Sequence, residues 1–150
     1  TLAGPSSYEL LYRSGAGLTP RPLRRIASGG ELSRVMLASK VVLGNADGVD
    51  TLVFDEVDAG VGGSTARALA SVLADLAATH QVIVVTHLAQ VAVMADKHYV
   101  VSKEPGDVPQ THLDEVAGDA RTAEIARMLS GDQSEASLAH AKQMLEEARA

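Results

Sequence analysis

The sequence is poor in several residue types, and each shortage excludes a class of protein. None of its 150 residues is cysteine, which excludes a disulfide framework and a thiolate metal site. Aromatic residues make up only 3% of the chain, whereas apolar residues make up 46%, so we expect a core of Ala, Val, Leu, Ile and Met. That mixture favours helices packed on a buried sheet.

The chain also lacks a long apolar run and an excess of positive charge. No segment approaches the roughly 18 apolar residues that a membrane span needs, and no basic segment followed by an apolar one stands near residue 1. The formal net charge is -6, which argues against a general attraction to nucleic acid or to anionic lipid. We therefore expect a soluble, cytoplasmic protein with no membrane partner.

A P-loop is missing as well. That loop needs Gly, four residues, Gly, Lys and then Ser or Thr, because its amides and its lysine together hold the phosphates. None of the lysines follows a glycine, and they are Lys40, Lys97, Lys103 and Lys142. The nearest approximation, at 60–65, has Ser64 directly after Gly63, where a P-loop has lysine after its second glycine. We interpret it as a loop that leads into a helix cap.

Apolar periodicity predicts alternating strands and helices in a single domain that covers residues 1–150. Short apolar runs at 51–54 and 82–85 predict two strands covered on both faces, as in a parallel sheet. A crossover helix between them would begin at Ser64 or Thr65. The other predicted elements are a strand at 8–13, helices at 31–43 and 88–94, a hairpin of 98–102 with 110–116, and helices at 121–129 and 134–149.

Two of these helices have an apolar stripe that is predicted to face the core. In the helix at 31–43 the stripe consists of Leu32, Val35, Met36, Ser39 and Leu43. In the last helix it consists of Leu138, Ala141, Leu145 and Ala148.

Two glycines open the helix at 31–43, in the order Ser28, Gly29, Gly30, Glu31. Glycine lets the backbone approach a ligand closely, and the free N–H groups and dipole of a helix N-terminus form an anion site. Phosphate is the expected ligand. The alternative is an ordinary helix entry capped by the serine.

Acidic residues follow the first strand of the predicted parallel pair, and a histidine follows the second. Ligands of open α/β sheets bind beyond the carboxyl ends of the strands, where Asp55 and Glu56 would lie. The aspartate can hold Mg²⁺ through water, and the glutamate can accept a proton from an attacking water. His87 could donate to a γ-phosphate oxygen or act on the attacking water. Taken singly, two acids at the end of a strand are more often solvated loop residues, and a histidine there is more often a loop or packing residue.

Taken in order, these motifs resemble the second half of an ABC-type ATPase head. The resemblance lies in SGGELSR, VFDEVDAGVGG, VTHLAQVA and HYVVSK, which are similar to the RecN family in the SMC-like branch of that superfamily. The last two segments favour RecN over condensin-type and repair-nuclease-associated heads. The resemblance implies an α/β fold, namely the C-terminal lobe of an ABC-type P-loop NTPase head, a mainly parallel sheet flanked by helices and without the P-loop lobe.

The resemblance also implies a role for each motif residue. Asp55 would coordinate Mg²⁺ through water, Glu56 would polarise the hydrolytic water, and His87 would sense the γ-phosphate. Asp58 with Gly60 would form the D-loop, which crosses a dimer interface. The signature loop would bind the γ-phosphate of an ATP molecule held by a second head, and its residues are Ser28, Gly29, Gly30 and Glu31.

The partners implied by the resemblance are the N-terminal P-loop lobe of the same protein, a second head and DNA. ATP hydrolysis by the completed head would serve double-strand break repair and recombination near the nucleoid, and the isolated chain would be inactive. A docking lobe without catalysis is the alternative. The basic residues that flank the signature loop have two interpretations. They are either solvated or ion-paired within the chain, or they contact DNA or the adjoining coiled coil, and they are Arg13, Arg21, Arg24, Arg25 and Arg34.

Overall fold

The computed structural model describes residues 4, 8–25, 28–44, 48–104, 106 and 110–148. Strands and helices follow each other much as the apolar pattern predicts. The predicted end of the last helix, at residue 149, lies outside the described residues. In chain order the elements are β1 (Leu11–Tyr12), β2 (Arg21–Pro22), a 3₁₀ turn (Leu23–Arg25), α1 (Gly29–Leu43), β3 (Thr51–Phe54), α2 (Gly63–Ala77), β4 (Gln81–Val84), α3 (Ala89–Ala92), β5 (His98–Glu104), β6 (Gln110–Val116), α4 (Gly118–Ser130) and α5 (Glu135–Glu147).

The described strands form three two-stranded sheets, and one of these is parallel. Strands β3 and β4 run parallel, with Val53 opposite Ile83, and α2 connects them. The β1–β2 and β5–β6 pairs are antiparallel, as expected for neighbouring strands joined by a short connection. The mainly parallel sheet expected from the sequence is therefore limited, in the described residues, to β3 and β4.

Helix α2 begins earlier than predicted, because its N-cap lies two residues before Ser64 and three before Thr65. Gly62 occupies the N-cap position with an extended backbone and no side-chain hydrogen bond. Gly63 follows with a φ of +56°, a conformation that glycine adopts without steric cost. A glycine pair therefore makes the turn into the helix, and the predicted caps Ser64 and Thr65 lie inside its first turn.

Buried apolar side chains in the described residues form two clusters that meet on α3. The first packs β3 and β4 against α2 and includes Leu52, Phe54 and Val91. The second joins α3 to α4 and α5 around Ile125 and Ala141. The predicted stripe of α5 is confirmed, because its four residues all belong to or pack against this second cluster.

One face of the parallel pair is not covered within the described residues. Leu52 and Phe54 are buried, but Val53 is 65% exposed and Val85, just after β4, is 58% exposed. Successive residues of a strand point to opposite faces, so α2 covers one face and leaves the other open. The prediction of strands covered on both faces is therefore wrong for this part of the chain.

The predicted apolar stripe of α1 is also exposed. Leu32, Met36 and Leu43 all have large exposed fractions, whereas Leu37, outside the stripe, is buried. The residues of α1 that are buried against other parts of the chain are Gly30 and Leu37. No helix in the described part of the chain combines the length and the apolar character that a bilayer crossing requires.

Candidate functional site

The N-terminus of α1 is the first wall of the candidate site. Ser28 caps the helix, since its Oγ accepts a hydrogen bond of 3.1 Å from the backbone N–H of Glu31. The first backbone bond of the helix runs from Leu32 N to Ser28 O, so the N–H groups of Gly29 and Gly30 precede the intrahelical ladder. The serine cap and an anion site are thus compatible, because the cap uses a different N–H group.

The two glycines let this helix tip pack directly on the loop after β3. A Cβ atom on Gly30 would lie 2.8 Å from Ala59 Cβ and 2.9 Å from the carbonyl oxygen of Glu56. A Cβ on Gly29 would collide with Glu56 Oε2. The carboxylate of Glu56 therefore lies against the helix N-terminus, where the helix dipole stabilises negative charge.

The backbone of Glu56 is strained. Its φ is +56°, and among the described residues it is the one non-glycine residue with a positive φ. A non-glycine residue in a sparsely populated region of this kind costs about 1–3 kcal/mol and persists only where the surrounding structure enforces it. Two contacts enforce it here, since Ala59 N donates to Glu56 O at 3.0 Å and Gly30 packs on the same oxygen.

Arg34 anchors the same loop from the side of α1. Its guanidinium donates to the carbonyl oxygens of Val57 at 3.2 Å and Ala59 at 2.9 Å. No local pattern indicates this role, because the partners are 23 and 25 residues away along the chain. In the same basic set, Arg24 pairs with Glu9 at 2.6 Å, which favours ion pairing within the chain for that residue.

Asp58 ties the loop after β3 to the loop after β4. Its carboxylate is buried, and its Oδ2 accepts hydrogen bonds from Thr86 Oγ1 at 2.5 Å and His87 N at 3.1 Å. The Nδ1 atom of His87 lies 3.2 Å from the same oxygen. The hydroxyl of Thr86 accepts in turn from Leu88 N at 3.0 Å. The Asp58 side chain is therefore engaged within the chain.

These walls enclose a cavity of about 450 Å³. Seven of the nine residues that the sequence singled out contribute to its lining, and Glu31 and Gly60 do not. Gly60 lies instead in a tight turn of the loop, where its φ is +71°. In this turn Val61 N donates a hydrogen bond of 3.0 Å to Asp58 O. The complete lining is Ser28, Gly29, Gly30, Asp55, Glu56, Asp58, Ala59, Val85, Thr86 and His87.

The chain is similar to bacterial proteins described as the DNA repair protein RecN. The RecN of Treponema pallidum is 51% identical over 144 residues, which cover 95% of this chain and 25% of that protein. The RecN of Deinococcus radiodurans is 53% identical over 150 residues, covering 96% of this chain and 26% of that protein. The chain belongs to the RecN family. It spans about a quarter of the length of these RecN proteins.

Two further comparisons add little to the RecN assignment. No family model matches the chain. A solved structure from work on ATP-driven dimerization and DNA-stimulated activation of SMC ATPases is 21% identical, with a TM-score of 0.49, and the match covers 90% of this chain and 69% of that one. A score at that level does not establish a common fold.

The cavity combines a helix N-terminus with carboxylate side chains. No group of three or more His, Asp or Glu side chains in the described residues could enclose a metal ion. Mg²⁺ is usually bound by one or two carboxylates, with waters and phosphate oxygens as its other ligands. Asp55 could supply one such carboxylate, and the helix tip at Gly29 and Gly30 supplies N–H groups and a positive dipole end for the phosphate.

Proposed function

We propose that this chain is the C-terminal lobe of an ATPase head and that residues 1–150 act as one unit of it. The completed head would hydrolyse ATP during DNA double-strand break repair and recombination, with DNA bound by the full-length protein. The observation that carries the proposal is the single cavity that gathers a glycine-opened helix tip, an acid pair and an imidazole. Phosphoryl transfer needs these groups together, because its catalysis is positioning and charge stabilisation.

Each wall of the cavity has its own task in this proposal. Ser28 and the N–H groups of Gly29 and Gly30 would bind the γ-phosphate of ATP held by a second head. Asp55 would hold Mg²⁺ through water, and the ion would offset phosphate charge. Glu56 would take a proton from the attacking water, and His87 would contact that water or the γ-phosphate.

The position of Glu56 adds a condition to phosphate binding at the helix tip. Its carboxylate lies against Gly29, and a carboxylate and a phosphate repel each other at one N-terminus. A phosphate that reaches this wall would therefore displace the Glu56 side chain. The movement is a rotation of a flexible side chain and leaves the strained backbone in place.

The open face of the parallel pair supports a missing lobe as a partner. Val53, Ile83 and Val85 are exposed on one face of the sheet, and α1 and β3 border a groove of about 400 Å³ that includes Leu32 and Met36. Sheets of two strands need additional strands or a covering element for stability. A P-loop lobe that extends and covers β3 and β4 would supply both the cover and the lysine that this chain lacks.

The decisive experiment joins this chain to the N-terminal part of a RecN protein and measures phosphate release with and without DNA.

Glu56→Gln should retain nucleotide binding and lower the turnover rate, by a factor on the order of 10² to 10⁴ if it removes the general base. Asp114→Asn removes an exposed carboxylate on β6, away from the cavity, and should leave turnover unchanged. If Glu56→Gln turned over ATP at the wild-type rate, Glu56 would not be the general base. A joined protein that binds ATP without hydrolysing it would favour the docking lobe.

A further inference from the structure

Asp58 is a buried carboxylate whose hydrogen-bond donors lie on one short segment. Its side chain is 3% exposed, whereas the side chain of His87 is 72% exposed. Burial of a carboxylate is costly unless hydrogen bonds replace the lost water. Thr86 Oγ1 and His87 N provide two such bonds, and His87 Nδ1 lies within reach of the same oxygen. The loop after β4 is therefore the polar environment that makes the burial of Asp58 possible.

The contact with Nδ1 bears on which ring nitrogen carries the proton. A carboxylate oxygen can only accept hydrogen bonds, so at 3.2 Å it favours a ring whose facing nitrogen carries the hydrogen. A neutral His87 ring then has its proton on Nδ1 and a free lone pair on Nε2. The hydrogen bond that one ring nitrogen makes thus decides what the other nitrogen can do.

We propose that Asp58 is a positioning residue that holds His87 in the Nδ1-protonated tautomer and aims Nε2 away from the loop as an acceptor. The backbone bond from His87 N to the same carboxylate fixes the main chain of the residue whose ring Asp58 orients. Main chain and side chain are therefore held by one oxygen atom. That arrangement leaves the exposed end of the ring to a ligand.

The tautomer distinguishes the two roles that remain open for His87. A phosphate oxygen without a proton offers no hydrogen to a lone pair, whereas a water molecule does. In its neutral form His87 would accept from the attacking water, and only a protonated ring could donate from Nε2 to the γ-phosphate. This choice of ligand rests on the proposed ATPase function, but the tautomer itself does not.

The test is nitrogen-15 NMR of the chain without nucleotide, recorded at rising pH until the histidine signals stop changing, so that the neutral ring is observed. Long-range couplings between ring protons and nitrogens report which nitrogen carries the hydrogen, and His87→Gln assigns the signals. We expect protonated Nδ1 and unprotonated Nε2 in the majority form. An Nε2-protonated majority in the wild-type chain overturns the proposal, and this result requires no variant to fold.

Asp58→Asn then tests whether the carboxylate is the cause. The amide is nearly isosteric but uncharged, and hydrogen bonds to a charged acceptor are about twice as strong as neutral ones. We expect the Nδ1-protonated fraction of His87 to fall while the backbone spectrum stays that of a folded chain. An unchanged tautomer in a folded variant contradicts the proposal.

His112 and Asp114 provide the matched controls. The Nε2 atom of His112 lies 3.6 Å from Glu104 Oε2, so its ring faces a carboxylate through the other nitrogen and should show no Nδ1 preference from that contact. Asp114→Asn should leave the signals of both rings in place. If the ATPase experiment fails but His87 shows the expected tautomer, the assignment of water as the ligand of His87 is wrong. The proposal that Asp58 holds the ring in this tautomer is then still supported.

Discussion

The helical part of the chain consists of α3, α4 and α5, and the buried apolar side chains of these three helices pack against one another. Ile125 and Ala141 are completely buried between α4 and α5. Helix α4 ends at Gly131, which has a φ of +77° and donates its N–H to Arg127 O at 2.8 Å. Arg121 is buried and donates to carbonyl oxygens at the end of α3, including Ala95 O at 2.6 Å.

The part that bears the cavity, residues 28–88, is arranged differently. It exposes Val53 and Val85 on the open face of its sheet, holds Glu56 with a positive φ and buries the Asp58 carboxylate. Strained residues and exposed apolar patches are typical of functional sites and interfaces. The contrast indicates that the helical part supplies stability to the chain, while the cavity part has the surfaces and the strain that the proposed ligand and second lobe would use.

The largest effect should come from a change in the helical core. Ile125→Ala removes the largest fully buried side chain of the described residues, and we expect the free energy of unfolding to fall by about 2–5 kcal/mol because a cavity remains. Urea denaturation followed by circular dichroism measures the difference.

Val53→Thr is the matched change on the open face of the sheet. Threonine keeps the β-branched shape that strands favour, and an exposed hydroxyl should change the free energy of unfolding by less than about 0.5 kcal/mol. A loss of about 1–3 kcal/mol would instead show that this side chain is buried in solution. That result would contradict the claim that this face of the sheet is open. Repeating the denaturation at several protein concentrations would then show whether a second copy of the chain covers the face.

The two glycines of the helix tip should respond differently to alanine. At Gly30 the new methyl group would meet the backbone oxygen of Glu56 and the Cβ of Ala59, so the loop must shift, at a cost of about 1–3 kcal/mol. At Gly29 it would meet only the end of the Glu56 side chain, which can rotate away.

Gly29→Ala is therefore the control for Gly30→Ala in the same denaturation experiment. Alanine favours helix over glycine by up to about 1 kcal/mol, so Gly29→Ala should be neutral or slightly stabilising. Equal losses in the two variants would contradict the close packing of Gly30 on the loop.

Local patterns were sufficient to predict most helices and strands and seven of the ten residues that line the cavity. The apolar run before Asp55 and the helical spacing of α5 are properties of neighbouring residues, and both strand ends fall at one edge because β3 and β4 are parallel. The positions of Ser28 and the two glycines could also be predicted, because a helix N-terminus has a signature in neighbouring residues.

Contacts between distant residues could not be predicted in this way. The hydrogen bond from His87 to Asp58 spans 29 residues, and no spacing rule connects them. The stripe containing Leu32 and Met36 shows a second limit, because periodicity indicates which side chains favour burial and not whether the covering surface belongs to the same chain. The resemblance predicts that the loop at Asp58 crosses a dimer interface, and it contains no signal for the hydrogen bonds that the Asp58 carboxylate accepts within the chain.

The smallest effect should appear at the α4–α5 junction and concerns pH. Hydrogen bonds from Ser137 and, secondarily, from Ser134 and Ser130 lower the pKa of Asp132 from 3.8 to about 2. Because the folded-state pKa lies below the unfolded one, the stabilisation is present above about pH 4 and is lost as the pH falls towards 2. Asp132 is exposed, so solvent screening keeps the effect small. Asp132→Asn should flatten the change in denaturation midpoint over that range relative to Asp114→Asn, and parallel curves for the two variants would mean that the serines do not hold this carboxylate in solution.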